Sequence, residues 1–313
     1  MSEPMVKLSI ATKKRLLDSR RILLTWFRKN GRDYDWRKPG MRPYQILVRE
    51  FMLQQTSPKQ IEDKLPQFLK LFPTANKLAQ APTAKVLRAW QGLGYNRRAL
   101  NLQRSAEAIA HRGRKPFPNT LEELRALRGV GEYTASAVLA FAFNADVSVV
   151  DVNIERVLSR IWKRMPNMAA NEPIQAIRAL DAHILPLGRS AEWHQAIMDF
   201  GATICTKRKP GCIACPLIKT CKSGKHFIKT GGEPTNAKPK ERKYFGHPRR
   251  IWRGRILKGV ADAESIAEPR LIGMLAGGDP IEFRKFVRAV LESLKEEGFI
   301  VEIKPRVYSL TTR

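Results

Sequence analysis

The chain has 313 residues, with 57 Lys and Arg against 29 Asp and Glu, a formal net charge of +28 and a sequence pI near 10.4. That length allows two or three domains with sizeable cores, and so lopsided a basic balance calls for a polyanion, nucleic acid, as partner. Residues 1–14 hold no apolar core of signal-peptide length, and the longest apolar stretch, residues 135–143, falls far short of a bilayer span. A secretory signal or a membrane span is therefore not expected, and the expectation is an intracellular, cytoplasmic protein, nucleoid-associated in a bacterium.

Helical periodicity dominates up to about Thr220. Leu16, Leu17, Leu23, Leu24 and Phe27 line an amphipathic segment that ends near Asn30-Gly31. The next helix, over 44–56, is apolar nearly all round and therefore buried, yet it carries Glu50. A lone carboxyl in such a place stays protonated and can donate; the alternative is an ion pair with a neighbouring arginine. Ser57-Pro58 opens another helix as N-cap and first-turn proline, and Thr120 with Glu123 forms a capping box before Leu121, Leu124 and Leu127. Gly129 and Gly131 interrupt that pattern, and a helix over 132–143 follows. Glycines permit positive φ and close backbone approach, so the amides of Gly129, Val130 and Gly131 suit a phosphate. Alone, the pattern also fits an ordinary tight turn; between two marked helices in so basic a chain it fits a grip on DNA that reads no sequence.

Val147, Val149 and Val150 then deliver Asp151 out of an apolar segment. Asp151 or Asn153 can cap the helix that carries Ile154, Val157, Leu158 and Ile161, and a carboxylate so approached can also stabilise a developing cation in a water-poor pocket. The only four cysteines, Cys205, Cys212, Cys215 and Cys221, follow as C-x6-C-x2-C-x5-C, with Lys207, Arg208 and Lys209 in the first interval. Thiolates this close read as one metal site, and the spacing leaves a structural zinc and a 4Fe–4S cluster equally open.

Residues 222–242, with Gly231-Gly232, Pro234 and Pro239, read as a linker. Beyond them 251–260, 268–275 and 280–297 look helical, Gly277-Gly278 makes a turn, and 299–301 with 307–310 flank Lys304-Pro305 as a β-hairpin. That order suggests a winged-helix domain, whose long helix and wing often contact DNA or protein. The expected fold is all-α: two helical domains with a helix-hairpin-helix motif and a cysteine loop, plus a small C-terminal winged-helix-like α+β domain. Residues 30–145 are expected to form a six-helix domain, 1–29 with 146–225 the cysteine-bearing domain, 226–243 the linker and 244–313 the terminal domain.

In combination, L-x-G-V-G-x-Y-T-A over 127–135, V-D-x-N-x-x-R-V over 150–157 and the cysteine pattern resemble the helix-hairpin-helix DNA glycosylase superfamily in its iron–sulfur branch. The likeness runs from about Leu16 to Cys221. It implies a 4Fe–4S cluster on the four cysteines, bracing the 206–211 loop and its three cations against DNA. Lyase-type members carry a lysine nucleophile where this chain has Tyr133; tyrosine forms no Schiff base, so a monofunctional enzyme is implied.

The string E-x-M-L-Q-Q-T over 50–56 looks like the adenine-removing MutY branch. There the glutamate, here Glu50, protonates the departing adenine, and the turn of Gln54, Gln55 and Thr56 enters the duplex. Residues 92–95 resemble the branch's G-L-G-Y loop, whose tyrosine, here Tyr95, wedges between bases. Residues 32–37 resemble the R-D-L-P-W-R wall of the adenine pocket, which puts Arg32, Trp36 and Arg37 there, with Leu53. Residues 193–199 resemble F-N-Q-A-M-M-D, implying that Gln195 hydrogen-bonds the base. Asp151 would then stabilise the sugar cation, oriented by Asn153 and beside Tyr133. The implied partner is duplex DNA with adenine opposite guanine or 8-oxoguanine, bound by a monomer.

Thymine or uracil mismatch glycosylases of the same fold share Tyr133 and Asp151, but tend to have an apolar residue for Gln195 and R-R-T for Gln54-Gln55-Thr56. A non-catalytic lesion-binding protein would be expected to lack Glu50 or Asp151, and both are present. The departures from the MutY pattern are Tyr34 and Asp35 for leucine and proline, Asn96 for a second tyrosine and Arg128 for the hairpin proline. The C-terminal segment is also too short and strand-poor for the Nudix-like domain that recognises 8-oxoguanine in many MutY enzymes.

Overall fold

The computed structural model describes residues 9–38, 40–162, 174–232, 241–275 and 281–312. Residues 1–8, the linker prolines Pro234 and Pro239, and the Gly277-Gly278 turn with Pro280 lie outside the described residues. The helices run α1 (Ile10–Asn30), α2 (Pro43–Leu53), α3 (Pro58–Ile61), α4 (Lys64–Leu71), α5 (Ala75–Ala79), α6 (Thr83–Trp90) and α7 (Arg97–Ala110). Two more, α8 (Leu121–Arg125) and α9 (Glu132–Phe143), flank the glycine hairpin. Then come α10 (Val152–Trp162), α11 (Ile174–Ile184), α12 (Ser190–Thr203) and α13 (Gly224–Thr230). A two-stranded hairpin, β1 (Lys243–Tyr244) and β2 (His247–Pro248), leads into α14 (Arg249–Asp262). The chain ends with β3 (Ile266–Ala267), α15 (Glu268–Leu275), α16 (Ile281–Glu296), β4 (Ile300–Lys304) and β5 (Val307–Leu310). No helix among the described residues is long and apolar enough to cross a membrane.

Local chemistry accounts for the boundaries. Ser9 caps α1 by accepting from the Thr12 amide, and Thr120 caps α8 by accepting from the Glu123 amide. The capping box at Thr120 is only half formed, because the Glu123 carboxylate takes the Asn119 amide instead of that of Thr120. Asn144 ends α9 in the left-handed conformation, at φ 50°, which asparagine tolerates better than most residues. The expected linker begins later than 226: residues 224–230 form α13, held by the buried Phe227, and Gly231 closes it at φ 70°.

The chain forms two compact units, one from Met1–Glu50, Pro118–Ala126 and Val130–Ala237, the other from Phe51–Phe117, Leu127–Gly129 and Lys238–Arg313. The core of the first is built from α1, α10, α11 and α12, where Leu16, Leu23, Ile154, Val157, Leu180, Trp193 and Phe200 are buried together. In the second, Phe68 packs against Phe72 and Trp90, while Trp252 of α14 meets Phe283 of α16. This partition differs from the expected boundaries. The terminal segment joins the unit of residues 51–117 because α14 packs on α6, with the Arg88 guanidinium donating to the Ala261 carbonyl at 2.9 Å. Helix α9 joins the cysteine-bearing unit because it packs on α12. The terminal hairpin is borne out and gains β3, so the antiparallel sheet runs β3-β5-β4. Strand β3 has only two residues, too few for a periodicity to reveal.

Candidate active site

Asp151 stands at the start of α10, reached through buried Val149 and Val150. Its Oδ1 accepts from the Asn153 and Ile154 amides at 2.9 and 2.7 Å, and its Oδ2 accepts from the Asn153 side-chain amide at 2.8 Å. It therefore caps the helix while remaining half exposed, so capping and presentation of the carboxylate coexist. Asn153 is itself held: its Oδ1 accepts from Arg156 at 2.7 Å, and Arg156 also donates to the carbonyls of Gly201 and Cys205. Only a glycine fits at 201, since a Cβ there would stand 2.8 Å from that of Asn153. Behind the approach strand, buried Asp181 accepts from Ser148 and Trp193 and lies 2.8 Å from His194 Nε2. Carboxylate, amide and guanidinium thus form one rigid row between α10 and α12.

Glu50 is not a lone carboxyl. Its Oε1 accepts from Arg49 Nε at 2.9 Å and lies 2.7 Å from Arg49 Nη2, and both side chains are buried. Neighbours in sequence do not face each other on a helix; the pair forms because the long arginine folds back. Its guanidinium is fixed over the Phe141 ring and by the Trp36 carbonyl. Oε2 of Glu50 has no hydrogen bond among the described residues. Burial first, then the nearby charges of Glu50 and Asp151, push the Tyr133 phenol well above its ordinary range, while Arg49 pulls the other way. Tyr133 is therefore a neutral side chain flanked by both carboxylates.

The loop 31–38 is pinned by a carboxylate whose role no sequence motif reveals. Asp199, fully buried on α12, accepts from the Arg32 backbone amide, from the Arg32 guanidinium and from the Arg37 guanidinium. Arg32 and Arg37 thus spend their donors on Asp199 and shape the loop, and Tyr34 stacks on buried Trp36 with ring centroids 4.4 Å apart. Gln195 and Met198 lie on the same face of α12 as Asp199, by the i, i+3, i+4 rule. Met198, like Tyr133 and Val147, packs against the Ala137, Ala140 and Val149 cluster, whereas the half-buried Gln195 amide has no hydrogen bond among the described residues.

In the other unit a single buried guanidinium joins two of the expected DNA-inserting elements. Arg98 donates to the carbonyls of Phe51, Met52, Gln54, Leu93 and Gly94 and to the Thr56 hydroxyl. Burial lowers its pKa to about 10, which still leaves Arg98 cationic near neutrality. The two exposed tips it draws together, Gln55 and Tyr95, both adopt the left-handed backbone, at φ 60° and 46°. Such conformations persist in non-glycine residues only where the surroundings impose them. Leu53 is half-buried on the last turn of α2, and Gln54 reaches the Gly129 carbonyl at 3.5 Å. At the hairpin, Gly129 and Gly131 are exposed, but Val130 is buried and can offer DNA only its backbone.

The four cysteines are unpaired by disulfides and line one cavity with Val157, Phe200, Leu217 and Phe227. Among the described residues no group of three or more His, Cys, Asp or Glu side chains is gathered as ligands of a metal ion. The donor set nonetheless fits a cluster: four sulfur ligands face an apolar pocket, with the Leu217 amide directed at Cys215 and the Ser223 and Gly224 amides at Cys221. Burial raises Cys212 to about 11 and Cys215 to about 12, so a metal bound there would have to displace protons. Arg160, buried against the Phe227 ring, donates to the carbonyls of Thr206 and Lys207, which leaves Lys207, Arg208 and Lys209 exposed on a braced loop.

Residues 48–179 match the family described as HhH-GPD superfamily base excision DNA repair protein. The chain is 41% identical over 245 residues to an adenine DNA glycosylase of Mycobacterium tuberculosis, covering 77% of this chain and 78% of that one. It is 36% identical over 282 residues to an adenine DNA glycosylase of Mycolicibacterium smegmatis, covering 89% and 91%. Among solved structures, a thermostable thymine-DNA glycosylase superposes with a TM-score of 0.64 at 28% identity, over 69% of this chain and 99% of that one.

Proposed function

We propose a function whose premise is kinship: the chain belongs to the adenine DNA glycosylases of the HhH-GPD superfamily, and it excises adenine from DNA by hydrolysing the N-glycosyl bond. In our reading it is monofunctional and acts on adenine mispaired with guanine or 8-oxoguanine, after flipping the nucleotide out of the stack. The observation that carries this is Tyr133 within electrostatic reach of both Glu50 and Asp151. Two carboxyl groups flank a position where related lyases place an amine, and the phenol there stays neutral.

The roles follow from the contacts. Arg49 takes Oε1 of Glu50, which leaves Oε2 to take up a proton and pass it to adenine N7. The C1′–N9 bond then breaks with its electron pair going to a neutral base, and the charge of Asp151 offsets the cation left on the sugar. Water adds at C1′, and its proton replaces the one transferred to adenine. Asn153 orients Asp151, and Gln195 offers its amide to the base. A lining of Arg32, Trp36 and Arg37 completes the pocket; Leu53 contacts the substrate, Gln54, Gln55, Thr56 and Tyr95 enter the duplex, and Gly129, Val130 and Gly131 hold a phosphate through their amides.

Cys205, Cys212, Cys215 and Cys221 hold a 4Fe–4S cluster, which supplies structural bracing. Lys207, Arg208 and Lys209 contact phosphates. Replacing all three with glutamine is expected to weaken binding to every duplex and to lower the slope of log K against log salt by up to about 2.7. An unchanged slope would make the run a solvated loop.

Single-turnover release of adenine, thymine and uracil across a panel of mispaired duplexes tests the specificity. Adenine released opposite guanine or 8-oxoguanine, with thymine and uracil retained opposite guanine, is the expected outcome. Release of thymine from its pair with guanine at a comparable rate would overturn the reading.

A further inference from the structure

The second unit contains a groove of about 860 Å³ between the 91–101 segment and α14, and Gln55 and Tyr95 stand at its edge. Its chemistry is one-sided. Arg97, Arg250, Arg253, Arg255 and Lys258 line it against a single acid, Glu297. Glu297 occupies Arg97 and Arg253. Among the described residues Arg250 and Lys258 are tied only to exposed carboxylates, Glu241 and Asp262, in ion pairs that a phosphate can replace at little cost. Arg255 is exposed, rests on the Trp252 ring and has no anionic partner among the described residues.

An independent observation lies on the same wall. Gly254 sits in the interior of α14, where glycine costs about 1 kcal/mol relative to alanine. It is exposed, its φ lies outside the left-handed range, and a Cβ added there would meet nothing within 4 Å. None of the described residues therefore requires a glycine at this position. A chain of another kind lying along the helix would, because backbone-to-backbone approach leaves no room for a side chain.

We propose that this groove is a second DNA-backbone site: Arg250, Arg255 and Lys258 of α14 take phosphates of the duplex segment beside the inserted Gln55 and Tyr95, and Gly254 lets that backbone lie against the helix. The proposal rests on the reading that those two tips enter the duplex. It also assigns the contact to the first helix of the terminal domain rather than to α16, its long helix, or to the β4–β5 wing.

The test uses the full chain and fluorescence anisotropy on an undamaged duplex across a salt series. Three variants are compared with wild type: Arg255→Glu with Lys258→Glu, Gly254→Phe alone, and a control off the groove, Lys285→Glu with Lys304→Glu. The groove pair is expected to weaken binding at least tenfold and to lower the salt slope by about 2, one counterion set per lost phosphate contact. Gly254→Phe removes no charge and is expected to weaken binding at least fivefold, while the control pair stays within twofold to threefold. Equal losses in the groove pair and the control would reduce the effect to net charge and overturn the proposal. So would wild-type affinity in Gly254→Phe. All substituted side chains are exposed, and thermal melting checks that each variant is folded. Adenine release by the wild-type chain, measured in parallel, judges the glycosylase reading separately, since the binding comparison holds whether or not adenine is released.

Discussion

Asp151→Asn is expected to lower single-turnover adenine release by a hundredfold or more while duplex affinity stays within a few-fold of wild type. A unit charge about 4 Å from the developing sugar cation, at an effective dielectric near 20, is worth roughly 4 kcal/mol. A hundredfold in rate is about 2.7 kcal/mol, which fits inside that figure even after part of the field is screened. The substitution also sets two amides face to face. Oδ2 of Asp151 accepts from the Asn153 side chain, and an amide NH₂ in its place would confront another donor. Asn153 could turn to accept, but only by giving up the Arg156 hydrogen bond to its Oδ1. Asn153→Ala is therefore expected to show a smaller loss of the same kind, because it frees the carboxylate without removing its charge. Glu50→Gln should match Asp151→Asn in size but differ in signature. Partial rescue by a substrate whose leaving base needs no proton is expected for Glu50→Gln and not for Asp151→Asn. Near-wild-type release by Asp151→Asn from duplexes carrying mispaired adenine would remove Asp151 from the chemistry.

The row that holds Asp151 marks how far local pattern reaches. The bounds of α9 and α15 are legible from the sequence, because glycines, caps and 3.6-residue periodicity act within one or two turns. Asn153 and Arg156 share one face of α10 and Asp151 caps its start, so their mutual contacts follow from the motif itself. The contacts that fix the rest of the site span far greater separations. Arg32 and Arg37 meet Asp199 across 167 and 162 residues, and Arg156 meets Cys205 across 49. No period in the sequence encodes which buried cation meets which buried anion. One signal was available: Asp199 stands in the run Ala196-Ile197-Met198-Asp199-Phe200, and a carboxylate buried among apolar neighbours needs a partner. The same reasoning applied to Arg98, in the apolar face of α7, would have anticipated that its donors are filled by backbone carbonyls. The pairing of Arg49 with Glu50 was less legible, because adjacent helical residues ordinarily diverge.

Asp199→Asn is expected to destabilise the first unit by about 3 kcal/mol, the lower part of the range for breaking a buried ion pair. The lower part applies because Arg32 and Arg37 keep 30% and 15% of their side-chain surface exposed, so the guanidiniums left behind recover some hydration. The same carboxylate sets an acid limit on stability. Burial alone would raise the Asp199 pKa, but the hydrogen bonds from Arg37 and Arg32 outweigh it, and the net shift is downward. A folded value below the unfolded one, near 3.9, contributes stability that is fully present above that pH. The contribution is lost as pH falls from about 4 through the depressed folded value. Urea midpoints across that interval should therefore fall steeply for the wild type and more gently for Asp199→Asn, with the two curves converging at the acid end. Parallel curves would mean that Asp199 titrates no differently in the folded chain. Because Asp199 pins the loop that carries Arg32, Trp36 and Arg37, adenine release near neutral pH should fall in the same variant, with a larger change in KM than in kcat. The opposite split would place Asp199 nearer to the chemical step than the loop it anchors.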